Sequence, residues 1–383
     1  PYTSAATFAG NPLLIDLENL RDRGLLTEAE LSAARVEPDG PIDYAALYES
    51  REPLLRRAFS RLSGTEAQAV RDFAAANPWL EEYALYRALK THFDEAAWYD
   101  WPDKALRRRD PAALAPWRTA LAEDIAFHQT VQFWFFSQWR ALKDHANGLG
   151  VGIIGDLPIY VSLDSADVWS ERKEFLLDET GKPSRVAGVP PDYFSAEGQL
   201  WGNPLYDWAA MKADGFGWWI RRVEGASRLF DAIRIDHFRA FERYWSVPAG
   251  AETAREGRWE PGPGMDLLGV LTNWFPHITY IAEDLGLLTP EVHQLRQAAG
   301  LPGMKVLEFA FSDPGNAYLP HNYASRRCVC YTGTHDNDTA LGWYDHASEA
   351  ERAFAERYLG ASGREEVRKA LLRCGMGSTA ELF

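Results

Sequence analysis

Four times in this chain a short apolar run ends in an acid: Val151-Gly-Ile-Ile-Gly-Asp156, Phe230-Asp-Ala-Ile-Arg-Ile-Asp236, Ile278-Thr-Tyr-Ile-Ala-Glu283 and Cys328-Val-Cys-Tyr-Thr-Gly-Thr-His-Asp336. A fifth run, Met304 to Phe311, carries Glu308 inside it. Helical patterns separate or follow most of them, as at 290–299 and 348–359. Buried strands alternating with helices indicate a parallel sheet covered on its faces. Acids at strand C-terminal ends are where the active sites of α/β barrels lie. The chain has no Gly-rich phosphate loop of the kind a doubly wound sheet uses, so the expected fold class is α/β, a (β/α)8 TIM-type barrel. The strand-like runs are centred near Ile153, Ile233, Ile281, Leu307 and Val329, about five of the eight such a barrel needs.

Ahead of these runs the pattern is helical. Residues 1–115 read as a helical insertion subdomain, with a capping box expected at Thr65 and Gln68, and residues 116–383 as the barrel portion. One long helix is expected from about Trp117 to Ala146, because Leu121, Ile125, Val131, Phe135, Trp139 and Leu142 recur mostly at spacings of three or four. Residues 164–225 form a long irregular insertion rich in aromatics, and loops of that length are usually functional or disordered.

Composition excludes more than it selects. With 55 acidic against 40 basic residues, a net charge of −15 repels a phosphate backbone and argues against nucleic acid. No stretch approaches the ~20 apolar residues that span a bilayer, so no membrane association is expected. Cys328 and Cys330 sit two apart in an apolar run and are expected on one face of a strand, buried rather than metal-binding. With Cys374 they make an odd total of three, which fits a reducing, cytoplasmic location. The 15 Trp, 16 Tyr and 19 Phe are the unusual feature. Flat rings fill cores well, and they also stack on the apolar faces of sugars.

The acids have chemistry that can be weighed one by one. Arg234 and Asp236 are two apart on a strand and leave the same face. An arginine beside a carboxylate is expected to hold it ionised with a lowered pKa, as attack on an anomeric carbon requires. The bland alternative is a core ion pair. His237 follows directly and would line the strand's mouth. Glu283 ends the next run with Asp284 beside it. A glycosidic acid needs a raised pKa, and one of the two must face the site while the other turns away; register favours neither, and both could merely cap the next helix. His335 and Asp336, in Thr334-His-Asp-Asn-Asp-Thr339, suit sugar hydroxyls and a developing positive charge, or form only a polar Asx turn. One histidine among scattered carboxylates is weak evidence for a metal, and no metal or organic cofactor is expected. Covalent glycoside chemistry needs two carboxyl groups roughly 5 Å apart, which neighbouring barrel strands can supply.

Taken in order, Gly155-Asp-Leu-Pro-Ile-Tyr-Val161, Arg234-Ile-Asp-His-Phe-Arg239, Ala282-Glu-Asp-Leu-Gly286 and Gly333-Thr-His-Asp-Asn-Asp-Thr339 resemble the four signature regions of the amylomaltase, or 4-α-glucanotransferase, family. Asp164-Ser-Ala-Asp-Val-Trp169, Gly188-Val-Pro-Pro-Asp-Tyr-Phe-Ser195, Gln199-Leu-Trp-Gly-Asn-Pro-Leu-Tyr206, the opening Pro1-Tyr2-Thr-Ser4 and Ala9 to Ile15 match as well. The likeness spans essentially the whole chain. It implies Asp236 as nucleophile, Glu283 as acid/base and Asp336 as transition-state stabiliser, and so selects Glu283 over Asp284. It further implies Arg234 and His335 as partners of those acids, Asp156 in a sugar subsite, Tyr193, Phe194, Gln199 and Trp201 in a loop over the glucan, and Tyr2 beside the site.

The implied reaction disproportionates α-1,4-glucans, passing a donor glucan to glucose or a malto-oligosaccharide acceptor. An α-amylase-like hydrolase shares the first half-reaction and differs in accepting water. A non-catalytic glucan-binding protein would need the rings but not three acids. The same resemblance implies an apolar strand and a Gly-rich loop ahead of the Pro-Tyr motif, and a further strand with an Asn/Trp/Arg-rich tail at the end. Neither is present here, so the sequence is expected to be a piece of a longer gene product with an incomplete barrel.

Overall fold

The computed structural model describes residues 3–35, 42–191, 195–286 and 288–383. Tyr2, Tyr193 and Phe194 lie outside that set. Among the described residues there are nine strands: β1 (Ile154–Leu157), β2 (Arg185–Val189), β3 (Gln199–Pro204), β4 (Ala232–Ile235), β5 (Arg243–Pro248), β6 (Arg258–Pro261), β7 (Thr279–Ala282), β8 (Gly303–Val306) and β9 (Cys328–Tyr331). The chain divides into two compact units. One comprises Pro1–Ile153, Tyr160–Asp231 and Trp245–Arg258; the other Ile154–Ile159, Ala232–Tyr244 and Trp259–Phe383.

The first unit is helical around one long element, Ala122–Gly148, against which Tyr44–Ser60, Gly64–Ala76 and Trp79–His92 pack. The expected single helix from Trp117 is two, because the chain leaves helical geometry at Leu121 (φ −105°, ψ 21°) between Pro111–Ala120 and its successor. Leu20, Leu54, Leu55, Phe127, Val131, Trp134 and Phe135 make its core. Gly10 threads against that core where a Cβ would fall 2.0 Å from the Phe135 ring. Buried Gln132 accepts from Gly10 N (2.8 Å) and donates to Gly10 O (3.0 Å), satisfying both backbone groups. The capping box sits two residues before its expected place, with Ser63 and Glu66 holding each other's amides. Ser63 wins because Gly64 and Thr65 already lie inside the helix, and such a cap contributes ~1 kcal/mol.

The 164–225 insertion is more regular than expected. It contributes β2, β3, the helices Ala166–Ser170 and Trp208–Ala213 and the start of Gly217–Leu229, and β2 pairs antiparallel with both β3 and β5 in the order β3-β2-β5-β6. Gly188 is required in β2, since a Cβ there would meet Gln199 O at 2.5 Å. Much of the tryptophan is core: Trp98, Trp101, Trp134, Trp169, Trp218 and Trp219 are fully buried. Two acids of the insertion act as clamps. Asp164 accepts from Lys90 Nζ (2.6 Å), Tyr86 OH (2.7 Å) and Trp98 N (3.1 Å). Asp167 accepts from Thr7 N (2.7 Å), pinning the opening loop.

The second unit carries the parallel strands. β4 lies between β1 and β7, with Ile154↔Ala232↔Thr279 and Leu157↔Ile235↔Ala282 as the ends of the register. β8 pairs with β9, Gly303 opposite Cys328 and Val306 opposite Tyr331. Ala282 N donates to Pro302 O (2.9 Å), joining β7 to the approach of β8. Beyond β9, Leu382 bridges Val329 in parallel. Ile281, Met304 and Val329 cluster on one face. On the other, Cys330 packs with Val367 and Leu371 of the helix Arg364–Met376. Cys328 and Cys330 are buried on β9 as expected. The run Met304 to Phe311 is strand only as far as Val306, after which Leu307–Phe309 turns into a 3-10 helix.

Candidate active site

Parallel register assembles the site. Asp156 of β1 lies opposite Arg234 of β4, which lies opposite Ile281 of β7. Side chains two residues further along return to the same face, which brings Asp236 and Glu283 to the C-terminal ends of adjacent strands. The ladder continues past the strands, with Asp236 N donating to Leu157 O (3.1 Å) and Glu283 N to Ile235 O (3.0 Å). Arg234 Nη1 therefore reaches both Asp156 Oδ1 (2.6 Å) and Asp236 Oδ1 (2.9 Å), and its Nη2 lies 3.7 Å from Asp336 Oδ2. One buried guanidinium braces three carboxylates.

At His237 the backbone turns left-handed (φ 49°, ψ 49°), a conformation a side chain adopts only when surroundings hold it there. The turn aims His237 N at Glu283 Oε2 (2.8 Å), and Phe238 N donates to Glu283 O (3.2 Å). Burial, with Arg239 adding to it, drops the imidazole pKa to about 3, so His237 is neutral. Asp284 settles the ambiguity left by its position. Falling on the opposite face from Glu283, it accepts from Met304 N (2.7 Å) and pairs with Arg296 Nε at 3.0 Å. It is a structural acid turned away from Arg234.

Electrostatics corrects one expectation. Asp236 is raised to about 6, not lowered: burial dominates, Arg234 only partly offsets it, and the charges of Asp156 and Asp336 push it further up. Glu283 is raised more, to about 8, by burial first and then by the charge on Asp236. Between those values Asp236 is ionised and Glu283 protonated, which is the division of labour two catalytic carboxyls need.

The Thr334–Thr339 loop is braced internally, Thr334 N and Oγ1 both donating to Asn337 Oδ1 (2.9 Å each). It presents His335 and Asp336 half-exposed, with His335 Nε2 3.4 Å from Asp336 Oδ1 and 3.6 Å from Asp156 Oδ2. Tyr331, at the end of β9, was given no part by sequence reasoning. Its hydroxyl is raised by burial, with Arg234 and Asp156 close enough to act on it. Its place two residues beyond Val329 on the clustered face was the signal available. In the first unit, Gln199 and Trp201 alternate onto one side of β3, Trp201 Nε1 donating to Gln199 Oε1 (3.0 Å), and the Trp201 ring is 36% exposed. Among the described residues no group of three or more His, Cys, Asp or Glu is placed to hold a metal ion, and no helix is long and apolar enough to cross a membrane.

An arginine-braced set of carboxylates at the C-terminal ends of parallel strands, with two proton affinities held apart, is an arrangement that suits glycosyl chemistry. Comparison with known proteins narrows this. The family model described as 4-alpha-glucanotransferase matches residues 1–383. The 4-alpha-glucanotransferase of Thermus thermophilus is 50% identical over 100% of this chain and 78% of its own length. The chloroplastic/amyloplastic 4-alpha-glucanotransferase of Solanum tuberosum is 42% identical over 100% of this chain and 67% of its own. A structure of the Streptococcus agalactiae amylomaltase in complex with acarbose superposes with a TM-score of 0.95 at 37% identity, covering 100% of this chain and 78% of that one. The chain belongs to the 4-alpha-glucanotransferase family and has its α/β fold. It is a glycosyltransferase acting on α-glucans.

Proposed function

We propose that the chain disproportionates α-1,4-glucans by a retaining double displacement carried by Asp236 and Glu283. The observation that supports this most is their placement at the ends of β4 and β7, Asp236 braced by Arg234 and Glu283 held by the His237 amide. An Asp236 oxygen attacks the anomeric carbon while the bond from that carbon to the departing sugar's oxygen breaks, and Glu283 gives that oxygen its proton. The sugar left behind is an ester of Asp236. In the second half the acceptor's 4-hydroxyl gives its proton to Glu283 and attacks the same carbon, freeing Asp236. Asp336 offsets positive charge as it develops, and Asp156, Arg234, His237 and His335 hold the sugar or the acids. We assign Tyr2, Tyr193, Phe194, Gln199 and Trp201 to glucan binding. The parallel arc we read as belonging to a (β/α)8 barrel, with residues 1–115 as a helical subdomain, 116–383 as its barrel portion and 164–225 as an insertion. Three free cysteines suit a reducing compartment, and we read the enzyme as cytoplasmic.

Incubating the purified protein with maltotriose tests the reaction. A ladder of shorter and longer malto-oligosaccharides with glucose should form, with little net gain of reducing ends. Steady accumulation of reducing ends without longer products would make it a hydrolase. The ring at Trp201 gives a second measurement. Exposed as it is, Trp201→Ala should lower stability by no more than ~1 kcal/mol while raising hydrolysis relative to transfer several-fold, because stacking an acceptor excludes water. A sharp fall in stability with an unchanged product ratio would make the ring packing alone.

A further inference from the structure

The acidic run ending β8 contains a carboxyl that the reaction above does not use. Glu308 lies in the 3-10 turn that follows β8. Its amide donates to Thr332 O (3.1 Å), which extends the β8–β9 register and sets Glu308 opposite Gly333. The match is steric as well. A Cβ on Gly333 would stand 2.6 Å from Glu308 Oε1 and 2.7 Å from Oε2, so the absence of a side chain at 333 is what admits the carboxyl. Glu308 is only 7% exposed, yet no side-chain hydrogen bond among the described residues reaches it. Its oxygens are not among the fully buried unpartnered atoms, so what little surface Glu308 keeps includes the carboxyl itself, open to a hydrogen-bonding partner from solution. Burial, with the charge of Asp338 adding to it, raises its pKa to about 7, so near neutral pH a substantial fraction is the carboxylic acid, which can both donate and accept.

The strand order gives the group an address. Asp236 follows β4, Glu283 follows β7, Glu308 follows β8, and His335 and Asp336 follow β9. By strand order Glu308 therefore falls between Glu283 and the His335–Asp336 pair, on the opposite side of Glu283 from the nucleophile. On the reading above, the oxygen that leaves and the oxygen that attacks both pass through Glu283, so the sugar bearing them lies towards β8. We propose that Glu308 is a specificity-determining residue that hydrogen-bonds a hydroxyl of the acceptor sugar. This rests on the transfer reaction proposed above.

Steady-state transfer from maltotriose to glucose, and to 2-, 3- and 6-deoxyglucose, tests it in wild type, Glu308→Leu and Glu308→Gln. Loss of one neutral hydrogen bond should raise the acceptor KM of Glu308→Leu about threefold to tenfold, with kcat at saturating acceptor nearly unchanged. One deoxy acceptor that is penalised in wild type should no longer be penalised in that variant. Glu308→Gln, an isostere that keeps a donor and an acceptor, should restore glucose KM to within about threefold while changing the penalty at that same position. Were Glu308 merely a buried acid, the leucine variant would be more stable with an unchanged acceptor KM, and the proposal would be wrong. Should the leucine variant fail to fold, the glutamine variant decides alone: a deoxy-acceptor profile identical to wild type overturns the assignment. Failure of the underlying reaction is separable, since wild type would then form no ladder at all.

Discussion

Asp236→Asn is expected to reduce kcat by roughly 10⁴-fold or more, the scale on which removing a covalent nucleophile acts, while circular dichroism and glucan binding stay near wild type. Asparagine is isosteric, and Arg234 retains its 2.6 Å contact with Asp156. The residual activity should not recover with an activated glycosyl fluoride, because no carboxylate remains to form the ester. Activity above one hundredth of wild type, in preparations free of wild-type contamination, would remove Asp236 from the nucleophile's place.

Glu283→Gln separates the two half-reactions. A fluoride leaving group needs little proton assistance, so this variant should still glycosylate Asp236 and then stall, because nothing deprotonates the acceptor. Peptide mass spectrometry should find the adduct on Asp236; finding it on Asp336 or Asp284, or finding none, contradicts the roles proposed. The same substitution has a thermodynamic consequence. Glu283 binds its proton more tightly in the folded chain, with a pKa of about 8 against 4.5 ordinarily. The stability its protonated burial contributes is complete below pH ~4.5 and is lost as pH rises through about 8. Glutamine has no proton to lose, so the variant should melt close to wild type at pH 4.5 and exceed it at pH 9 by up to a few kcal/mol. Wild-type activity should rise through pH 6 as Asp236 ionises and fall through pH 8 as Glu283 does. A melting difference that does not grow with pH would contradict the burial assigned to Glu283.

Much of this site was legible because strands impose a two-residue period. Arg234 with Asp236 on one face follows from spacing alone, and so does the choice between two faces for Glu283 and Asp284. What spacing could not supply was the neighbour across the ladder. Only the register shows that Ile281 shares a row with Arg234, which sends Glu283 inward and leaves Asp284 to Met304 N and Arg296. The direction of the Asp236 shift was missed for a related reason. The arginine two residues away is visible in the sequence, whereas burial and the charges of Asp156 and Asp336 arrive from other segments. The strands β2, β3 and β6 were passed over because Gly188, Gly202, Pro204 and Pro261 interrupt the apolar periodicity on which strand reading depends. Tryptophan density pointed in two directions at once, and burial separates them: Trp218 and Trp219 are core, whereas Trp201 keeps an open edge.

The row Asp156–Arg234–Ile281 has a consequence for how such a site can change. A single residue inserted within β4 would carry Arg234 and Asp236 through half a pleat and leave their charges among the helices, with Asp156 deprived of its cation. Length can therefore drift in the segments that join these strands but not within the strands, where alteration must come two residues at a time or be repaired before the next strand end. Diversity in what the enzyme accepts is thus confined to the connecting segments, while the spacing of its acids is inherited as a matter of parity.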